Sequence, residues 1–133
     1  MSRRRVVVTG LGCVSPVGNT VQAAWDSLLA GRSGIARIEA FDPTAFACQI
    51  AGEVKNFDLE PYINAKEARS MDRFIHLGIA AAQQAIEDAG LPSREELDDE
   101  LATRIGVIIG SGIGGLPLIE ETHGELTNRG PRR

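Results

Sequence analysis

Residues 105–115 read Ile-Gly-Val-Ile-Ile-Gly-Ser-Gly-Ile-Gly-Gly. An unalternating apolar run that ends in a glycine cluster is the pattern of a strand buried on both faces and turning straight into a helix. A second run of this type stands near the other end, Val6-Val-Val8, closed by Thr9-Gly10. Between the two the apolar spacing becomes helical. Val21, Ala24, Trp25 and Leu28 recur at i, i+3, i+4 and i+7, which predicts a helix over 20–30 with Asn19 and Gln22 as its capping box and Gly31 as its stop. Asn64 with Glu67 offers another capping box, and Met71, Ile75, Gly78, Ala82, Ala85 and Ala89 mark one face of a long helix from there to Gly90-Leu-Pro92. Its small residues, Ala80, Ala81, Ala82 and Ala85, predict close packing against another backbone. Residues 32–63 read as irregular, with a short strand within 49–54. Ser93 and Glu96 read as the cap of a short acidic helix, and 118–126 as a final helix. The order strand, helix, helix, strand, helix gives an α/β layer with parallel strands. Two central strands are too few for such a sheet, so the 133 residues read as part of a larger domain.

Bulk properties narrow the function classes. The chain has room for one domain, and 43% hydrophobic residues suffice for an ordinary core. Eighteen acidic against 14 basic residues give a net charge of −4, which offers no footprint for nucleic acid. Basic residues cluster only at 3–5 and 132–133. The apolar run after the first cluster is too short for a secretory leader or a membrane span, so no membrane association is expected. The two cysteines, Cys13 and Cys48, lack metal-type spacing and fit a reducing cytoplasm, and neither metal nor cofactor is expected.

The 110–115 loop matches G-x-G-x-x-G between a strand and a helix, the setting of a dinucleotide fingerprint. The acidic residue expected about 20 residues later is missing, because Glu120 and Glu121 come too early. A tight turn with close backbone packing is the simpler use of these glycines, and a small nucleotide-binding module is the alternative. Ser111 sits on a strand–turn–helix but not in G-x-S-x-G. Cys13 has no basic neighbour to activate it, and Cys48 lies in an apolar stretch, so both read as structural. His76 and His123 read as surface or satisfied residues and Asp98-Asp-Glu100 as a solvated face. The residues alone give an α/β part-domain with a Gly-rich loop and no active site.

Arg4-Arg-Val-Val-Val-Thr-Gly-Leu-Gly12 and Ser15-Pro-Val-Gly-Asn-Thr20 resemble the opening of bacterial β-ketoacyl-[acyl-carrier-protein] synthases. The resemblance continues through Leu29-Ala-Gly-Arg-Ser-Gly-Ile35, Phe41-Asp42, Met71-Asp-Arg-Phe74, Ala89-Gly90, 109–115 and Gly130-Pro-Arg-Arg133. Ser15 to Thr20 and Gly112-Ile-Gly114 look like the type II class; the 93–100 stretch is longer than the family's. The resemblance implies a thiolase-like layered α/β fold, of which residues 1–133 are the first part of the N-terminal domain. It implies decarboxylative Claisen condensation of acyl-ACP with malonyl-ACP in an obligate homodimer, using a cysteine and two histidines downstream of Arg133. It also implies that Ile113 gates the acyl pocket, and that Lys66, Arg69, Arg132 and Arg133 dock the acyl carrier protein. Ser70 departs from a relative's further lysine. A polyketide ketosynthase or its inactive chain-length partner is the alternative within the family.

Overall fold

The structure, a computed structural model, describes residues 3–131. Its spine is the helix Arg73–Asp88, in which Ala, Gln and Leu outnumber β-branched residues. Numbered in chain order, the elements are α1 Val21–Leu29, β1 Ile35–Arg37, β2 Ile50–Gly52, α2 Ala65–Ala68, α3 Arg73–Asp88, α4 Asp99–Ala102 and α5 Leu116–Arg129. The stop of α3 falls where the sequence puts it. Gly90, at φ 62°, donates to the Glu87 carbonyl (3.0 Å) and Leu91 to that of Ile86 (3.1 Å), a Schellman closure.

Its start does not. Asn64 caps α2 as expected, accepting the Glu67 amide at 2.9 Å, but the helix breaks over 69–72. There the Ser70 hydroxyl turns back onto the Glu67 carbonyl (2.8 Å), and the Asp72 carboxylate accepts the Arg73 amide (2.6 Å) and restarts the chain as α3. Side-chain bonds to nearby backbone compete with helix continuation, and here they win. The His76 ring nitrogen, 3.1 Å from the Ala68 carbonyl, ties the two pieces together.

The cap of α1 is Thr20 rather than Asn19, with Oγ1 accepting the Ala23 amide at 3.2 Å. The Asn19 amide is engaged elsewhere, donating to the carbonyls of Lys55 (2.9 Å) and Asn56 (3.1 Å), while Gln22 donates to Asp26 (2.8 Å). Ser93 and Glu96 close only a turn, and Asp98 caps α4 through the Leu101 amide at 2.7 Å. β2 lies inside the expected 49–54 stretch and pairs antiparallel with β1, Ala36 facing Ala51. β1 went unforeseen because three residues show no legible alternation. Beyond this ribbon the Glu53 carboxylate accepts the amides of Glu39 (2.9 Å) and Ala40 (3.0 Å), which hold it below the usual carboxylate range.

The small face of α3 packs as its composition requires. Ala80 is fully buried, and Gly10 and Gly12 pass directly over Ala81, Ala85 and Ala89. A Cβ at Gly12 would collide with the Ala81 carbonyl, and one at Gly10 with that of Ala85. Leu11 donates to Asp88 Oδ2 at 2.8 Å and Cys13 to Gln84 Oε1 at 3.2 Å. Gln84 also donates to the Asn19 carbonyl (2.9 Å) and the Tyr62 hydroxyl (3.1 Å), so one amide gathers three segments.

The expected strands over 6–8 and 105–109 are not formed. Neither run joins a ladder, and Val6 and Ile108 are 94% and 99% exposed. A strand exists only with a partner in register, and among the described residues neither run has one. Their apolar side chains stay in solvent as unsatisfied sheet faces.

Candidate functional site

The residues singled out by the sequence lie around the junction of α2, α3 and α5. Lys66 and Arg69, three apart, project from the α2 turn and are both exposed. Arg69 borders a hollow of about 400 Å³ shared with Asp72, Pro117, Leu118 and Glu121. Arg132 and Arg133 lie outside the described residues. α5 begins at this hollow, and its 14 residues rise about 21 Å before Gly130. The structure therefore brings Arg69 to the start of α5, with Gly130 at the far end of that helix.

The Gly-rich loop meets the same junction from the other side. Gly115 is the N-cap of α5 and has no side chain to offer. The missing acceptor comes from Asp72, whose Oδ2 takes the Leu118 amide at 3.2 Å while Oδ1 serves Arg73. A Cβ on Gly115 would lie 2.6 Å from that Oδ2, so only glycine admits the carboxylate. Gly114, at φ 73°, lies against the Phe74 ring, where a Cβ would stand 3.1 Å from Cζ. Around Gly110 and Gly112, by contrast, a Cβ would meet nothing within 4 Å. Ile113, 75% exposed, thus sits between a free glycine and a held one. A groove of about 440 Å³, mostly apolar, is lined by Phe74, Ile75, Leu77 and Ile79 of α3 and by Ile109 and Ser111 at the opening of the loop.

These contacts weigh against the nucleotide reading. A phosphate needs the free amides of the helix N-terminus, and at α5 a carboxylate already accepts one of them. Close packing accounts for Gly114 and Gly115, whereas Gly110 and Gly112 stand in open space.

The remaining candidates stay apart. Cys13 and Cys48 are free thiols, the former part-buried under α3 and the latter exposed with its sulfur 3.5 Å from the Ile50 carbonyl. His123 is exposed on α5, and His76 is spent on Ala68. Among the described residues no cluster of His, Cys, Asp or Glu could hold a metal, and no helix is long and apolar enough to cross a membrane. The role of Asp72 was missed. Its N-cap side chain ahead of a periodic run is a signal for α3, but nothing local announces a bond to a residue 46 positions on.

Comparison with known proteins gives this geometry a context. The family model described as beta-ketoacyl synthase, N-terminal domain, matches residues 3–133. The chain is 59% identical over all 133 residues to 3-oxoacyl-[acyl-carrier-protein] synthase 2 of Vibrio cholerae serotype O1, and 48% identical to the protein of that name from Synechocystis. It spans 31% of the length of each. Among solved structures it resembles the ishigamide ketosynthase/chain length factor, with a TM-score of 0.71 and 29% identity, covering 97% of this chain and 31% of that one. A type II polyketide synthase ketosynthase, in complex with its acyl-carrier protein and bound to the hexaketide, matches with a TM-score of 0.74 and 30% identity. That match covers 97% of this chain and 33% of the other. The backbone thus follows a thiolase-like ketosynthase path even where its two apolar runs lack partners.

Proposed function

The chain belongs to the beta-ketoacyl synthase family by its N-terminal domain, and from this we propose that it forms the first part of a type II 3-oxoacyl-[acyl-carrier-protein] synthase. The observation that carries the proposal is the 59% identity, without interruption of coverage, to a synthase of that name. The polyketide ketosynthases share the fold at 29–30% identity, and nothing favours them over the fatty-acid enzyme.

The reaction is decarboxylative Claisen condensation in chain elongation. A cysteine thiolate takes the acyl group from acyl-ACP, malonyl-ACP loses CO₂, and the resulting carbanion attacks the thioester to give 3-oxoacyl-ACP. Such chemistry needs an activated thiolate and donors aimed at the developing oxyanion. Neither is assembled by Cys13, Cys48, His76 or His123. The cysteine and two histidines lie beyond Arg133, and this part alone is inactive. Its contribution is scaffold, pocket wall and docking surface, within a cytoplasmic homodimer.

Ile113 is the acyl-pocket gate. Its place between a free and a held glycine, in the loop whose opening residues line an apolar groove, supports a side chain that swings where the backbone is slim. Lys66, Arg69, Arg132 and Arg133 form the dock for the acidic carrier protein, one basic patch in the intact enzyme. Residues 1–133 are then an incomplete N-terminal domain, and the runs 6–8 and 105–109 pair with strands supplied by the rest of the enzyme.

The test is to incubate the full-length enzyme with acyl-ACP and malonyl-ACP. Stoichiometric release of CO₂ and formation of 3-oxoacyl-ACP are expected; acylation of the enzyme without chain extension would overturn the reading.

A further inference from the structure

We propose that Asp72 is a positioning residue for acyl-chain selectivity, fixing one end of the Gly-rich loop so that Ile113 moves against a stationary pivot. The inference rests on the gate reading of Ile113 given above. It starts from an asymmetry in the loop. Gly110 and Gly112 touch nothing where a side chain would be, whereas Gly114 and Gly115 are pressed against Phe74 and Asp72. These two residues flank Arg73 at the start of α3, and Arg73 itself is anchored to the Val54 carbonyl at 2.9 Å. The held half of the loop is therefore fastened to the most extensively tied segment near it, and the free half is not.

Asp72 makes this fastening directional. One oxygen accepts the first amide of α3 and the other an N-terminal amide of α5, so both helices take their starting point from one planar group. A loop released from this carboxylate would still be glycine-rich and mobile, but its α5 end would no longer be stationary. Rotation of Ile113 would then be shared with motion of the whole turn. A short acyl chain needs no displacement of the gate. A long one needs Ile113 moved fully aside, and it is the long chain that suffers when the pivot yields.

The experiment compares kcat/KM for long and short acyl-ACP in the full-length enzyme carrying Asp72→Ala, Asp72→Asn or Gly115→Ala. The last places a Cβ where the carboxylate oxygen now sits. Asp72→Ala and Gly115→Ala should lower the long-to-short ratio by about fivefold, the factor set by loss of one helix cap. Asp72→Asn, which keeps only one of the two acceptor oxygens, should give an intermediate ratio. Hydrogen exchange at the Leu118 amide should accelerate in the same order. A uniform fall for both chain lengths, or faster exchange at Leu118 with an unchanged ratio, reduces Asp72 to a helix cap and overturns the proposal. If Asp72→Ala does not fold, Gly115→Ala and Asp72→Asn decide by the same ratio. A wild-type enzyme that extends neither substrate would instead refute the condensation reading.

Discussion

The Leu118 amide donates to the Asp72 carboxylate at 3.2 Å across 46 residues of sequence, so the N-terminus of α5 is capped by a side chain from the start of α3. Helix caps are normally local, and a glycine N-cap usually leaves its amides to water. Here the glycine makes room for a distant acceptor.

Because one carboxylate serves two helices, its removal should cost more than an ordinary cap. Asp72→Ala in the full-length enzyme should lose about 1–3 kcal/mol of stability, and Asp72→Asn roughly half of that. Denaturant midpoints at constant slope measure both. Equal losses for the two variants would mean that the charge, not the acceptor geometry, matters.

Gly12 and Gly90 are glycines for different reasons, and asparagine separates them. Gly90 holds a left-handed φ with nothing within 4 Å of a would-be Cβ, a conformation asparagine tolerates. Gly90→Asn should therefore cost well under 1 kcal/mol, roughly. Gly12→Asn drives a side chain into the α3 backbone and should cost about 1–3 kcal/mol or more. A thermal melt showing the reverse order would refute the packing of Gly12 against Ala81.

The isolated 133-residue chain should be catalytically silent. Neither cysteine has the surroundings of an activated thiolate, so acyl-ACP or a cerulenin-type inhibitor should leave the intact mass unchanged. One acyl group added per chain at Cys13 or Cys48 would show that the nucleophile had been misplaced.

If the runs 6–8 and 105–109 pair with further strands of the enzyme, as proposed, the isolated chain should expose them. Val6, Val7, Val8, Val107, Ile108 and Ile109 are all more than two-thirds exposed, a large apolar surface for so small a chain. Light scattering of the purified chain should report aggregates or a non-native oligomer. A monodisperse monomer with a cooperative melt would contradict an incomplete domain.

Legibility in the sequence followed the range of the interaction. The stop at Gly90-Leu-Pro92 and the Asn64 cap were readable because each rests on neighbours within a few residues, and the small face of α3 because its helical spacing is local even though its partners, Gly10 and Gly12, are not. The α2–α3 break was hidden, since Ser70 and Asp72 had to outcompete an otherwise continuous apolar stripe. Asn19 looked like a cap until the loop around Lys55 claimed its amide from 36 residues away. The site divides in the same way. Lys66, Arg69 and Ile113 were named through family resemblance, which carries long-range information that spacing lacks. Asp72 belonged to a matching motif but revealed its second partner only in three dimensions.

Charge reversal tests the dock. Exposed pairs contribute only about 0.2–1 kcal/mol each, so one change among Lys66, Arg69, Arg132 and Arg133 should be mild. All four reversed to Glu in the full-length enzyme should raise KM for acyl-ACP several-fold and flatten its salt dependence, because rim charges act mainly on association. An acyl-CoA surrogate should suffer far less. Equal loss with both substrates would make the patch structural.

The bond from Leu11 to Asp88 spans 77 residues, which sets an order on the ribosome. At about 5–20 residues per second, Leu11 emerges roughly 4–15 seconds before Asp88, its partner on α3. During that interval residues 10–13 have no docking surface of their own chain, and α1 and the β1–β2 ribbon are complete before that segment can settle. The segment over 10–13 is thus placed only after elements that are synthesised later than it. Nascent chains stalled before residue 89 should leave residues 10–13 open to protease, and chains stalled after α3 has cleared the exit tunnel should protect them.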